Sequence, residues 1–281
     1  MGMAANTHRI FYDPAHLPHL EIRDVFDARN LSFDAHSHAV LELAILVQGR
    51  CTYVNRGRSS VIVPGTTTIM NPEDVHSCVP DNSAPLAFRL FYFDPLWVSG
   101  IQDDDGDRSG NFEPFACTHT MAAGVYQSLE MIFQTFSKPN VDVLEKECCA
   151  VEAIAGINRL LDKRADAAAG DHPRMARAAE YISDCCSSEL KLDDVAREVG
   201  LSNGHLIRSF KRQFGMSPYS YLINRRIQVA RGMIKQGASI VEAAYSTGFY
   251  DQSHFHKAFK RLTGVTPGDF VKALEPARSS G

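Results

Sequence analysis

An α+β chain of two domains, a β-barrel with a helical pair at its C-terminal end and then an all-α domain, is what three observations predict. Short apolar strands punctuated by turn residues crowd the stretch from Leu31 to Phe93. Apolar residues then recur at helical spacing from Met121 to Leu161. Beyond Ala196 one helical unit occurs twice, and an internal repeat carries more fold information than any single periodic segment.

The strands come first. Phe33 to His38, Leu41 to Val47, Cys51 to Arg56, Ser59 to Val63, Thr66 to Met70 and Ala87 to Phe93 are the candidates. Gly49, Gly57, Pro64-Gly65, Asn71-Pro72 and Pro80-Asp81-Asn82 supply the breaks. So many short strands at close spacing argue for a sandwich or small barrel. Gln102 to Asn111, rich in Asp and Gly, reads as a solvated loop.

Two helices follow, over 121–136 and 141–163, separated by Lys138-Pro139-Asn140. Met121, Val125, Leu129, Ile132, Phe133 and Phe136 form one stripe; Leu144, Val151, Ile154, Ile157 and Leu161 form the other. Each stripe can cover the β domain, and an antiparallel pair can also bury a face against a second subunit. The first domain is therefore placed at 1–165 and the linker at 166–173, where three alanines and a Gly precede Pro173. Pro173 opens a helix over Arg174 to Ser188.

The second domain, 174–281, is built on the repeat. His205-Leu-Ile-Arg-Ser-Phe-Lys-Arg-Gln-Phe-Gly-Met-Ser-Pro218 is echoed by His254-Phe-His-Lys-Ala-Phe-Lys-Arg-Leu-Thr-Gly-Val-Thr-Pro267. Ala-x-x-x-Gly precedes each copy, at Ala196 to Gly200 and Ala244 to Gly248. A small residue facing a second helix, a Gly at the turn and a basic helix beyond it make a DNA-reading helix-turn-helix. The units are placed at 193–214 and 240–263, with a connecting helix over 218–236. At 1.5 Å per residue that connector is about 30 Å long, close to the ~34 Å between successive major grooves on one face of B-DNA. Leu206, Phe210, Phe255 and Phe259 face the small cores, which leaves Gly204, Ile207, Arg208 and Lys211, then Ser253, His256, Lys257 and Lys260, outward.

Charge agrees with that division. The net charge is −4, yet residues 171–281 hold 16 Lys and Arg against 11 Asp and Glu, while the first 170 hold 13 against 22. A basic C-terminal part is an electrostatic footprint for double-stranded DNA. No apolar run reaches the roughly 20 residues of a membrane span, and the N-terminus lacks a signal-peptide pattern. A cytoplasmic protein with no membrane partner is expected. Seven Cys without C-x-x-C spacing suggest reduced, mostly buried thiols.

One constellation in the barrel carries chemistry. His36-x-His38-x-x-x-Glu42, with His76 following Asn71-Pro72, looks like the two-part cupin signature, so the barrel is expected to be cupin-like. In an unbroken strand residues 36, 38 and 42 share parity and point to one face. Three imidazoles and a carboxylate suit Fe, Mn, Ni or Zn, a divalent metal in the barrel. A metal-free pocket for a small effector uses the same residues, with Tyr53 and Arg89 added; Arg89 holds a carboxylate if it faces the cavity and is a plain edge residue if it does not. Trp97 and Tyr92 are further candidates for the lining.

From Arg174 to Ala273 the chain resembles the AraC/XylS family of bacterial transcription regulators. The match rests on Gly248-Phe249, Ser253-His254-Phe255, Phe259-Lys260-Arg261 and Gly264-Val-Thr-Pro267. The resemblance implies base reading by Gly204, Ile207 and Arg208, and by Gln252, Ser253, His256 and Lys257. Arg208 and Lys257 suit guanine N7 and O6. Lys211, Arg212, Lys260 and Arg261 are expected on phosphates, giving affinity without sequence choice. It also implies a small-molecule effector, commonly bound without metal so that no cofactor is required, a homodimer, and activation through RNA polymerase, with repression open. An effector-responsive, non-enzymatic regulator is the expected function. The alternatives are a metal-dependent cupin enzyme with secondary DNA binding, and an activator that needs no effector.

Overall fold

The structure is a computed structural model that describes residues 8–26, 33–81, 85–103, 111–163 and 173–278. The expected linker up to residue 172 and most of the Asp/Gly-rich loop lie outside the described residues.

Ten strands form the N-terminal domain among the described residues: β1 (His8–Asp13), β2 (Leu17–Val25), β3 (Phe33–His36), β4 (Leu41–Gln48), β5 (Cys51–Asn55), β6 (Arg58–Ile62), β7 (Thr67–Met70), β8 (His76–Pro80), β9 (Ala87–Phe93) and β10 (His119–Thr120). They make two antiparallel sheets, one ordered β1-β2-β9-β4-β7-β10 and the other β3-β8-β5-β6. β4 is central and buried on both faces, which is why Leu41-Glu-Leu-Ala-Ile-Leu46 hardly alternates. One face of β4 (Leu41, Leu43, Ile45) packs outward under the helices; the other (Ala44, Leu46) lines the space between the sheets.

Three helices cover the larger sheet: α1 (Pro95–Asp103), α2 (Ala123–Ser137) and α3 (Val143–Leu160). Val125, Leu129, Ile132 and Phe133 of α2 and Ala153, Ile154 and Ile157 of α3 join the sheet's outer face in one core. The expectation that these stripes cover the β domain is met by those residues. Met121, Leu144 and Val151 are corrections: all three are exposed, Met121 before its helix begins and the other two on the far side of α3. β1 and β2 were not expected at all. α1 takes over the start of the expected loop, where Gln102 is buried and bonds both the N–H and the carbonyl of Glu113.

The C-terminal domain is α4 (Pro173–Asp184), α5 (Leu192–Glu198), α6 (Asn203–Phe214), α7 (Pro218–Lys235), α8 (Ile240–Ser246), α9 (Gln252–Thr263) and α10 (Pro267–Arg278). α5–α6 and α8–α9 are the two helix-turn-helix units. Ser202 caps α6 and Asp251 caps α9, each accepting from a backbone N–H three residues on. Ala196 and Ala244 are buried at their helix crossings. α7 contributes Tyr221 and Leu222 to the first core, and Ile223, Ile227, Ala230 and Ile234 to the second. One helix is thus the spine of both units. All seven cysteines are free thiols, but only Cys51 and Cys186 are buried, fewer than expected.

Candidate functional site

The space between the two sheets is a cavity of about 70 Å³, room for on the order of five waters by the volume one water needs. Its wall combines apolar side chains such as Leu46, Met70 and Phe88 with a polar end formed by Arg23, His36, His38, Glu42 and His76. Tyr53 and Tyr92 also line it. The second domain closes it, through Arg231 of α7 and Leu262 and Thr263 of α9.

The parity argument for residues 36, 38 and 42 does not hold, because β3 ends at His36 and β4 begins at Leu41. They converge nonetheless. The chain leaves β3 after His36 and bends at Ala39-Val40 before entering β4, and β8 pairs His76 with His36. The ring centroids lie 4.8 Å (36–38), 4.3 Å (36–76) and 5.1 Å (38–76) apart. One nitrogen from each ring falls within 4.8 Å of the others, and all three residues are buried. Glu42 Oε2 lies 2.8 Å from His38 Nε2 and 3.7 Å from His76 Nε2.

Backbone carbonyls fix the ring orientations. His36 Nδ1 donates to the Asp34 carbonyl at 2.6 Å, and His76 Nδ1 to that of Asp74 at 2.9 Å. Their Nε2 lone pairs are left facing the cavity. Burial pushes His36 and His38 well below the ordinary imidazole range, with the neighbouring rings and Arg231 adding to it. Both are therefore neutral. Burial raises the Glu42 carboxyl, against the pull of His76, Arg23 and Arg231. His38 Nε2, His76 Nε2 and Glu42 Oε2 are buried without an aligned hydrogen-bond partner among the described residues, so the 2.8 Å contact is close but not a good hydrogen bond. Two or three neutral imidazoles beside a carboxylate can hold a borderline divalent metal, and can equally bind a polar ligand group.

Two expected lining residues stand elsewhere. Arg89 points away from the cavity: it pairs with Asp24 and with Glu130 of α2, its guanidinium 3.7 Å from the Phe133 ring centre. It ties the sheet to α2 and holds no effector. Trp97 stacks on His19, outside the cavity wall.

Beside the cavity lies a polar cluster that sequence reading missed. Arg23 Nε donates to Glu21 Oε1 at 2.6 Å, Arg231 lies 3.7 Å from the same carboxyl, and Lys235 reaches it too. Glu21 and Arg23 come from β2, Arg231 and Lys235 from α7. Burial would raise the Glu21 carboxyl; Lys235, Arg23 and Arg231 together outweigh it and hold the group far below the usual carboxylate range. Further along α7, Asn224 donates to the Ser37 hydroxyl (3.1 Å) and carbonyl (3.2 Å), Gln228 to the same carbonyl, and Arg225 to Glu73 (2.9 Å). Asn224, Gln228, Arg231 and Lys235 step by four, three and four, a polar stripe that the sequence displays.

The expected DNA-reading side chains sit on two open faces. Gly204, Ile207, Arg208, Lys211 and Arg212 of α6 are exposed, as are Gln252, Ser253, His256, Lys257 and Lys260 of α9. Arg261 departs from expectation: its guanidinium pairs with Asp34 of the barrel at 3.2 Å rather than standing free for phosphate.

Comparison with known proteins gives the same two parts. Residues 24–147 match the model of an AraC-like ligand binding domain, and 195–273 that of a helix-turn-helix domain. An uncharacterized HTH-type transcriptional regulator, YbfI of Bacillus subtilis, is 27% identical over 241 residues, covering 84% of this chain and 86% of its own. The HTH-type transcriptional activator RhaS of Escherichia coli is 24% identical over 252 residues, covering 84% and 87%. Among solved structures, an apo form of ToxT from Vibrio cholerae carrying one lysine-to-alanine substitution superposes with a TM-score of 0.56 at 13% identity, covering 91% of this chain and 97% of that one. Wild-type ToxT with a bound unsaturated fatty acid gives 0.56 at 12% identity, covering 96% and 95%. At such identities the superpositions speak for the fold: a β-rich domain followed by a helical one, in one arrangement.

Proposed function

This chain belongs to the AraC/XylS family of transcription regulators, and from that premise we propose that a small effector in its barrel controls how α6 and α9 read two adjacent grooves of a promoter. One observation carries the reading: the sensing cavity is closed by α7 and α9, the helices that connect and form the DNA-reading units. An occupant of the cavity therefore touches both domains at once. It acts by binding one arrangement of the DNA-binding domain better than another, the only way a ligand shifts a conformational equilibrium.

The protein acts in the cytoplasm as a regulator and not as an enzyme, a reading supported by the relatives named above, which are transcription regulators. It works as a homodimer. Leu144, Cys148 and Val151 remain exposed on one face of α3 after the helix has covered the sheet, an apolar stripe suited to a second copy. Activation by contact with RNA polymerase follows from the family. Sequencing the genomic fragments retained by the full-length protein at about 150 mM salt, where non-specific phosphate binding is weak, tests the whole reading. Enrichment of a few promoters sharing a two-groove site is expected. Uniform retention of all fragments, with and without cell extract as an effector source, would sink it.

A further inference from the structure

We propose that Cys51 and Cys78 are a dithiol switch in the cavity wall: a small hydroperoxide entering the barrel converts the pair to a disulfide, and the strand shift that closes it loosens the seat of α9. Its effect on DNA reading rests on the regulator reading above; the dithiol itself does not.

Strand register brings the two thiols together. In the β5–β8 ladder Cys51 pairs with Pro80, and Tyr53 with Cys78. Cys51 and Cys78 are thus diagonal neighbours on one face of the sheet, since residues two apart on a strand point the same way. That face is the cavity wall, and Cys51, Tyr53, His76 and Cys78 all line it. Both cysteines pack in the same apolar cluster as Leu46, Ile62 and Met70. The Cys78 thiol donates a hydrogen bond to Cys51, which favours the Cys51 thiolate against its burial. The other five cysteines lie outside the wall. A cavity with room for a few waters suits hydrogen peroxide or a small alkyl hydroperoxide.

The chemistry closes on this pair and one oxidant. The Cys51 sulfur attacks one peroxide oxygen and the O–O bond breaks. The other oxygen leaves as water or alcohol with the proton that Cys51 gave up, and Cys51 carries a sulfenic acid. The Cys78 sulfur then attacks the Cys51 sulfur, the S–O bond breaks, and the hydroxyl leaves as water with the Cys78 proton. The two thiols lose two electrons and form one disulfide; the hydroperoxide gains them.

Closure requires movement. Diagonal partners have Cα atoms about 7–8 Å apart, whereas a disulfide spans about 4.4–6.8 Å, so β5 and β8 must shift by roughly 1 Å. Cys78 stands opposite Phe33 in the β3–β8 ladder. The Phe33 ring fills the space beside Gly264, where α9 ends. Asp34, the next residue of β3, holds Arg261 of α9. A shift of β8 therefore reaches the second helix-turn-helix unit through a single strand. A disulfide formed under that strain is readily reduced, so the switch reverses.

The test uses the full chain, reduced and then treated with hydrogen peroxide or tert-butyl hydroperoxide. Alkylation of the remaining thiols and peptide mapping should find Cys51 linked to Cys78, with dithiothreitol restoring both. In Cys78→Ser, dimedone should trap a sulfenic acid on Cys51; in Cys51→Ser no link should form. Thermal melts of the reduced variants separate a lost thiol from a lost fold. Amide exchange in β3 and around Gly264 should speed up about tenfold on oxidation, while exchange in α5 and α6 stays as it was.

Oxidation confined to the exposed Cys148, or links only within Cys148-Cys149 or Cys185-Cys186, overturns the switch. A Cys51–Cys78 link with unchanged exchange in β3 and α9 overturns the transmission. Promoter enrichment is scored on the reduced and the oxidised protein, so the two readings fail separately: enrichment without the link removes the switch and keeps the regulator, and the link without enrichment in either state does the reverse.

Discussion

Gly264 shows how a single residue serves two domains. It ends α9 in the left-handed region at φ +76°, where a side chain is strained, and a Cβ there would stand 2.7 Å from the Phe33 ring of the barrel. Gly264→Ala should therefore cost about 1–2 kcal/mol from the backbone alone and more from the clash. Denaturant melts should show Phe33→Ala relieving part of the Gly264→Ala loss; strict additivity of the two losses would refute the contact. Residue-level chemistry was partly visible in the sequence. His36, His38, Glu42 and His76 converge, although not by strand parity, because two short segments with a bend between them replace the single strand. For Arg89 the sequence leaves two orientations open, and strand alternation decides between them: Phe88 and Leu90 face the space between the sheets, so residue 89 turns outward to Asp24 and Glu130.

At the scale of elements, α6 and α9 behave as their repeat implies, each with a capped start, a buried aromatic pair or its Leu–Phe counterpart, and a basic exposed face. Arg208→Ala and Lys257→Ala should lower binding to the specific site by about 1–3 kcal/mol and relax sequence choice, while Lys211→Ala should weaken all sequences alike and flatten the salt dependence. Titrations on specific and random duplexes decide this; equal losses on both for Arg208→Ala would remove it from the base readers. The helices were readable because a 3.6-residue period spans three or more turns, and the repeat doubled the signal. β1 and β2 were not, because Glu21, Arg23 and Asp24 interrupt the apolar pattern of a strand whose polar side chains are buried against other elements. Leu144 and Val151 satisfied the period of α3 yet belong to its outer face, since a helix with two apolar faces offers more than one stripe.

For the whole molecule, the interface between barrel and DNA-binding domain turns on Glu21. Its carboxyl is held far below the ordinary range, so its contribution is present above the unfolded carboxylate value of about 4.3 and is lost as pH falls toward the folded value. Stability should start to fall below about pH 5. Glu21→Gln, which leaves Arg23, Arg231 and Lys235 without their acceptor, should cost about 3–5 kcal/mol near neutral pH and show a shallower acid dependence. Thermal melts across pH 3–7 check the sign; a variant as steep as the parent would mean that other carboxylates carry the effect.

The spine helix α7 turns three separate stripes around its circumference to the first DNA-reading core, the second core and the barrel, and this has a genetic consequence. Substitutions at Ile223, Ile227 or Ile234 should abolish reporter expression, whereas those at Asn224, Gln228 or Arg231 should yield alleles that no longer wait for a signal. A random screen of an 18-residue helix should therefore sort into null and constitutive phenotypes by its angular position around the axis.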